Sequence, residues 1–202
     1  MGSEGCGPDA TSSSPPPEAF AATPLVGPGA CIVDLGCGDG RWLLAAARAF
    51  RGLGVQCVGY DLDEVLLEKA GRGAAAFELE MADAEGGEDG GGAEAATVPA
   101  SSVVMHRQDL MLADISGAAV VVAYLFREGC VEVQEKLDKE LPPRAAVVSV
   151  GFAMRGWDAR WSCRVDGSVP CYYYSRPWQS TAAQQGGQGA VLSQQSTSTV
   201  AV

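Results

Sequence analysis

The sequence contains few of the residues that build metal centres. It has a single histidine, His106, and its seven cysteines are scattered along the chain without any CxxC pair. A structural zinc site needs four grouped cysteine or histidine ligands, so the sequence predicts no metal site. An odd cysteine count without a secretion signal also favours reduced thiols over a disulfide framework.

Basic residues are scarce as well. The chain has 14 Lys and Arg residues against 25 Asp and Glu residues, which gives a formal net charge of −11. Because binding to phosphate backbones needs clustered cations, this composition predicts no nucleic-acid partner. An acidic protein attracts basic protein segments. The same charge is also explained by a simple contribution to solubility.

Long apolar runs are missing too. No segment approaches the roughly 20 apolar residues that a transmembrane helix needs, so the sequence predicts no membrane span. The first residues lack the arginines of an organelle transit peptide. We therefore expect a soluble cytoplasmic protein, with an organellar location left open.

The composition predicts one domain between two polar tails. Residues 1–26 are rich in Ser, Pro, Gly and Ala, and residues 179–202 are rich in Gln, Ser, Thr and Gly, which is typical of disorder. The segment from Glu78 to Glu94 has seven carboxylates among many glycines. We therefore expect a domain over residues 27–178 with a flexible acidic insertion at about 78–100.

Strand and helix patterns alternate within the domain. The predicted strands are residues 31–33, 55–60, 102–107, 118–125, 145–152, 161–165 and 171–175, and the predicted helices are residues 41–50, 63–71 and 128–141. This order is typical of right-handed crossovers. It predicts an α/β fold with a Rossmann-like, doubly wound, mostly parallel sheet and a C-terminal antiparallel hairpin.

Four chain positions follow or end a predicted strand, and they carry polar or aromatic side chains. They are the loop 34–40, Asp61, Asp109 and Tyr124. Ligands of doubly wound sheets bind beyond the carboxyl ends of the strands, near the point where the strand order reverses. We therefore expect these positions to surround one crevice.

The loop after the first strand reads DLGCGDGR and has glycines at 36, 38 and 40. Glycines permit a positive φ and a close approach of a ligand to the backbone, and the following helix N-terminus favours an anion. A dinucleotide fingerprint is GxGxxG, whereas this loop has GxGxG. The loop also opens on Asp34, a carboxylate that suits the ammonium group of S-adenosylmethionine (SAM) better than a pyrophosphate.

The motifs resemble those of the class I SAM-dependent methyltransferases. DLGCGDGR resembles their first motif, GYDLD their ribose-binding acidic position, and RQDL their adenine-contact stretch. The resemblance implies SAM as cofactor and contacts to it from Asp34, Gly36, Cys37, Gly38, Gly40, Asp61, Leu62, Asp109 and Leu110. Asp61 would accept both ribose hydroxyls, and Asp109 the exocyclic amine of adenine.

A narrower resemblance concerns the acceptor. The same motifs together with VVAYLF and VVSVGFAMRGW are similar to the small lysine-specific protein methyltransferases, a family that includes the mitochondrial enzymes acting on the ATP synthase c subunit and the adenine nucleotide translocase. This implies a protein partner with an accessible lysine. Tyr124 and Phe126 would then form an apolar wall for the amine, and Glu128 would attract its charged form; ordinary packing is the alternative for both aromatic residues.

Three other residues have simpler explanations. Trp157 either lines the substrate entrance or covers the sheet edge. Cys37 is interpreted as a small packed residue, because no histidine lies near it in sequence to activate a thiol. His106 lies in a predicted strand and is interpreted as structural.

The resulting hypothesis is a SAM-dependent methyltransferase that N-methylates a protein lysine. The alternatives are a small-molecule methyltransferase of the same fold and a catalytically silent SAM-binding interaction module. A dinucleotide-binding oxidoreductase is the fourth, and the spacing of the loop glycines disfavours it.

Overall fold

The computed structural model describes residues 26–85, 100–165 and 168–178. Over these residues the strands are β1 Cys31–Leu35, β2 Gln56–Asp61, β3 Ser102–Arg107, β4 Ala118–Ala123, β5 Ala146–Val150, β6 Trp161–Val165 and β7 Val169–Ser175. The helices are α1 Arg41–Ala49, α2 Glu64–Glu85 and α3 Arg127–Glu140. Single 3₁₀ turns occur at Arg51–Leu53 and Leu110–Leu112.

The strands form one sheet in the order β3-β2-β1-β4-β5-β7-β6. Strands β1 to β5 are parallel, and β7 is antiparallel to both of its neighbours, β5 and β6. After β3 the chain returns to the middle of the sheet and adds β4 beside β1. The carboxyl ends of β1 and β4 therefore flank the reversal of strand order, and the predicted Rossmann-like fold with its closing hairpin is confirmed.

Each face of the sheet has its own core. Side chains of β1 alternate, with Ile32 in one core and Val33 and Leu35 in the other, as the period of a strand requires. The first core includes Leu43 of α1 and Phe77 of α2. The second core takes its helical residues from α3. Helices α1 and α2 thus cover one face and α3 the other, which is the layering of a doubly wound fold.

Aromatic residues close the antiparallel end of the sheet. Tyr174 is fully buried, and its hydroxyl accepts a hydrogen bond of 2.9 Å from the main-chain amide of Met154. The Trp157 ring stacks on Trp178 at 4.2 Å between centroids and meets Tyr174 edge-on at 5.6 Å. Trp157 therefore belongs to the core and covers the sheet, rather than lining a substrate entrance.

The prediction for α2 is wrong in its length. We expected this helix to end at Gly71 and residues from 78 onward to belong to the flexible insertion, but α2 continues to Glu85. The remaining insertion residues, 86–99, lie outside the described residues, as do residues 1–25 and 179–202 of the predicted tails. No helix in the described part of the chain combines the length and the apolar character needed to cross a bilayer.

Packing against α1 explains the longer helix. A Cβ atom on Gly73 would lie only 2.7 Å from the Leu44 Cδ1 atom, so glycine allows the two helices to approach closely. Phe77 is buried one turn later, and Arg48 of α1 lies over its ring at 5.6 Å while also pairing with Glu80. These contacts outweigh the helix-weakening cost of a glycine, about 1 kcal/mol.

The extended part of α2 is tested by Phe77→Ala. Phe77 is 1% exposed, so we expect a loss of about 3–5 kcal/mol in the free energy of unfolding, measured by denaturant titration. Leu79→Ala is the matched control, because Leu79 is 69% exposed on the same helix and its truncation should change stability by less than about 0.5 kcal/mol. Equal effects of the two substitutions would contradict the observed packing of α2.

Candidate cofactor-binding crevice

The glycine loop lies at the switch point between β1 and β4. Gly36, Gly38 and Gly40 have φ values of +82°, +52° and +73°, a region that other residues adopt at a cost. A Cβ atom on Gly36 would lie 2.8 Å from the Leu125 Cδ2 atom, so the loop runs directly against the segment that follows β4. The glycines therefore serve both the turn and the close approach of two chain segments.

The loop leads into the N-terminus of α1, where Gly40 is the N-cap residue and no side chain caps the helix. Its first main-chain hydrogen bond runs from the Leu44 amide to the Gly40 carbonyl at 2.9 Å. Free amides and the helix dipole favour an anionic group at this position. The first turn contains no acidic residue that would compete for it.

Asp34 is the most unusual residue of the crevice. It is 0% exposed, and neither carboxylate oxygen has a hydrogen-bond partner among the described residues. Burial, with a smaller contribution from the nearby Asp61 carboxylate, raises the pKa of Asp34 to about 7. A buried carboxylate without a partner is costly, and it therefore suits a cationic ligand.

Asp61 ends β2 and joins it to the glycine loop. Its Oδ2 atom accepts a hydrogen bond of 2.8 Å from the Gly38 amide, and its Oδ1 atom accepts one of 2.9 Å from the Asp63 amide. Each oxygen keeps further acceptor capacity. Leu62 follows as an exposed residue, and Asp63 caps α2 as expected, by accepting from the Val65 and Leu66 amides.

The segment after β3 lies beside this site. The Gln108 amide donates to the Asp61 carbonyl at 3.0 Å, which brings the two strand ends together. Asp109 Oδ1 accepts from the Met111 amide at 2.8 Å and begins the 3₁₀ turn, while Leu110 packs partly buried against the core. The predicted ribose and adenine positions are therefore adjacent in space.

A contact within the glycine loop was missed by the sequence reasoning. Asp39 accepts hydrogen bonds from the Arg41 guanidinium at 2.8 and 2.9 Å and from Lys69 Nζ at 2.7 Å. These two cations hold the pKa of Asp39 well below its usual range. The bonds tie the loop to α2, and no local signal indicates a partner that is 30 residues away in sequence.

Cys37 and His106 differ in their surroundings, because Cys37 is buried whereas His106 is exposed on β3. Burial, together with the nearby carboxylates of Asp34 and Asp61, raises the pKa of the Cys37 thiol to about 12, so Cys37 is a poor nucleophile at neutral pH. A Cβ atom on Gly59 would lie 2.7 Å from the Cys37 Sγ atom, so β2 packs closely against the glycine loop at this point. His106 stacks on the Tyr60 ring at 5.4 Å.

The acceptor-side candidates follow β4. Tyr124 is 51% exposed, and its ring lies against Gly151, where a Cβ atom would be 3.3 Å from the Tyr124 Cε2 atom. Phe126 is 83% exposed at the start of α3, so ordinary core packing does not explain it. Glu128 is exposed in the first turn of the same helix.

The residue after Tyr124 contacts the glycine loop, because a Cβ atom on Gly36 would lie 2.8 Å from the Leu125 Cδ2 atom. The pKa of Arg41 is raised mainly by its hydrogen bond with Asp39, with a smaller contribution from Tyr124. The structure therefore brings the segment after β4 to the edge of the same crevice as the glycine loop.

The residues of the crevice fit SAM. Asp34 offers a buried carboxyl group whose ionised form suits the ammonium group, the uncapped start of α1 offers amides for the carboxylate, and Asp61 offers acceptors for the ribose hydroxyls. The individual contacts stay predictions. The described residues contain no group of three or more His, Cys, Asp or Glu side chains that is arranged to hold a metal ion.

This fold and crevice define a class of protein, the class I methyltransferases that use SAM. A family model described as a methyltransferase domain matches residues 32–113. A protein-lysine N-methyltransferase of Saccharolobus islandicus (strain REY15A) is 30% identical over 135 residues, which cover 67% of this chain and 70% of that relative. The chain belongs to the SAM-dependent methyltransferases, and SAM is its cofactor.

Solved structures agree with this assignment. The crystal structure of an RNA methyltransferase from Salinibacter ruber in complex with S-adenosyl-L-homocysteine matches with a TM-score of 0.58 and 28% identity over 77% of this chain and 86% of that chain. The rRNA methyltransferase aviRa from Streptomyces viridochromogenes matches with a TM-score of 0.51 and 18% identity over 77% of this chain and 80% of that one, which shows the fold alone.

The ribose assignment is tested by Asp61→Asn. Losing the charge should weaken S-adenosylhomocysteine binding by about 1–3 kcal/mol, as measured by isothermal titration calorimetry. Asp63→Asn is the matched control, because asparagine caps a helix as well as aspartate does and affinity should not change. If both variants bind like the wild type, the ribose lies elsewhere.

Proposed function

We propose that this methyltransferase transfers the methyl group of SAM to a lysine side chain of a protein. The observation that carries the proposal is the exposure of two aromatic side chains, Tyr124 and Phe126, in the segment after β4, followed by the exposed Glu128 in the first turn of α3. The similarity to the lysine-methylating relative from Saccharolobus islandicus supports it.

The acceptor side has to handle an amine that carries a proton in water. Glu128 attracts the ammonium form to the mouth of the crevice. Contact with the apolar rings of Tyr124 and Phe126 removes part of the hydration of the amine, which lowers the pKa of the amine and favours the neutral nucleophile. The proton leaves to water before transfer, so no general base is needed.

SAM, when bound, supplies an activated methyl group on a sulfonium sulfur. The protein contributes alignment, because an in-line displacement depends on holding nucleophile, carbon and leaving group in a row. Asp61 and the glycine loop fix the cofactor end of that line. Tyr124, held against Gly151, fixes the acceptor end.

RNA is the second candidate acceptor, because the Salinibacter ruber relative is an RNA methyltransferase. The charge of the chain argues for protein instead. Its net charge is −11, and many of its cations are already paired with carboxylates. Among the described residues, the paired cations are Arg41, Arg48, Lys69, Arg72, Arg107, Lys136, Lys139 and Arg176. Two further hypotheses are a methyltransferase that acts on a small molecule and a SAM-binding module that transfers no methyl group. The experiment below distinguishes both from the protein-lysine proposal.

The direct experiment uses the full chain, methyl-tritiated SAM and a whole-cell extract. Labelled material is separated into protein, RNA and small molecules, and labelled protein is hydrolysed to amino acids. Recovery of methyl-lysine is the expected result. Label in RNA or in small molecules would show that the acceptor belongs to that class and is not a protein lysine. An absence of label from every fraction despite measured SAM binding would favour the silent module.

A substitution tests the aromatic wall. Phe126→Ala should lower kcat/KM for the acceptor about tenfold or more, because about 1.4 kcal/mol of contact corresponds to a factor of ten. Binding of S-adenosylhomocysteine should be unchanged. Val131→Ala is the matched control, since Val131 is an exposed apolar residue on the same helix. Unchanged kinetics in the Phe126 variant would remove this residue from the acceptor site.

A further inference from the structure

The environment of Asp34 is anionic or neutral on every side that the structure describes. From β2, the carboxylate of Asp61 opposes its ionisation, and the Cys57 thiol has a pKa raised to about 12 by burial and is neutral. From the glycine loop, Cys37 is also neutral at pH 7. The paired strand β4 has the sequence AAVVVA and contributes no titratable group.

The nearby cations are already bound by other carboxylates. Arg41 at the start of α1 and Lys69 of α2 both bind Asp39, and Arg48 at the far end of α1 pairs with Glu80. Neither Asp34 oxygen has a hydrogen-bond partner among the described residues. Tyr60, the remaining titratable residue of β2 near this end, packs in the core on the opposite face of the sheet. The protein therefore offers Asp34 no counter-ion of its own.

We propose that Asp34 carries a proton in the ligand-free protein and releases it when the ammonium group of SAM binds, so that cofactor binding is coupled to the loss of one proton. The balance is simple: the carboxylic acid becomes a carboxylate paired with the ammonium, and the proton goes to the buffer. The pKa of Asp34, raised to about 7 by burial and by Asp61, agrees with this. The coupling concerns the cofactor alone and holds whichever acceptor is methylated.

The proposed coupling predicts the direction in which the affinity for SAM changes with pH. The ammonium favours the ionised form, so binding lowers the pKa of Asp34. Below pH 7 the acid must first lose its proton, and the Kd for SAM should rise by about tenfold for each unit of decreasing pH. The result is a cofactor affinity that decreases as the pH falls from 7 to 5.5.

Calorimetry with S-adenosylhomocysteine tests the proposal directly. Titrations at pH 6.0 in two buffers of different ionisation enthalpy give the number of protons released, which should be about 0.9 for the wild type and about 0.2 at pH 7.5. Asp34→Asn should bind more weakly and release no proton. The cap-preserving variant Asp63→Asn should release as many protons as the wild type.

A second ligand separates the ammonium from the rest of the cofactor. 5′-Methylthioadenosine has the adenosine part but lacks the amino-acid part, so its binding should release no proton and should not depend on pH between 5.5 and 7. It should bind Asp34→Asn and the wild type equally well. This comparison remains informative even if Asp34→Asn no longer binds S-adenosylhomocysteine.

The ligand-free protein provides an independent readout. A carboxyl group whose pKa is higher in the folded than in the unfolded state lowers stability as the pH rises from its unfolded pKa, about 4, to its folded pKa, about 7, and no further above it, so the melting temperature of the wild type should fall between pH 5 and 7 and the fall due to this group should level off by pH 8. That decrease should be smaller in Asp34→Asn. Release of no proton by the wild type at pH 6.0, or equal release by Asp34→Asn, would overturn the proposal.

Discussion

The hydrogen bond from the Gly38 amide to the Asp61 carboxylate is the interaction on which the cofactor side of the structure depends. It joins the loop after β1 to the end of β2, and these two elements meet only because their strands are adjacent and parallel. Gly36 has a φ of +82°, which strains other residues, and a Cβ atom there would lie 2.8 Å from the tip of the Leu125 side chain, so the loop also packs closely against the segment after β4. The crevice therefore exists because one glycine loop contacts two strand ends at once.

Local patterns were sufficient to predict most of the sheet. The predicted bounds of β3 and β6 agree with the structure, because each is a short run of strand-favouring residues between turn residues. Helix α2 was misjudged because Gly71 resembled a helix stop. Whether a glycine ends a helix or lets it pack closely depends on its neighbour in space, here Leu44 for Gly73, and single-sequence patterns do not contain that neighbour.

The features of the candidate site also fall into those that local sequence predicts and those that only tertiary packing creates. The glycine loop and the acidic strand ends were predictable from local sequence. A positive φ is indicated by glycine, and the end of a parallel strand is indicated by a polar residue directly after an apolar run. The pairing of Asp39 with Lys69 and the isolation of Asp34 were not predictable, because both arise only when distant segments pack. Asp34 was identified by its position in the motif, but the absence of a partner among the described residues is a property of the folded chain.

The two sides of the crevice are held in different ways, and this has a consequence for specificity. The cofactor side is fixed by hydrogen bonds between chain segments, from Gly38 to Asp61 and from Arg41 and Lys69 to Asp39. On the proposed acceptor side Phe126 projects from the start of α3, exposed to solvent. A substitution there leaves the bonded loop intact, whereas a substitution at Asp61 removes a link between β1 and β2. With the acceptor site proposed here, acceptor preference can therefore change without loss of the cofactor site.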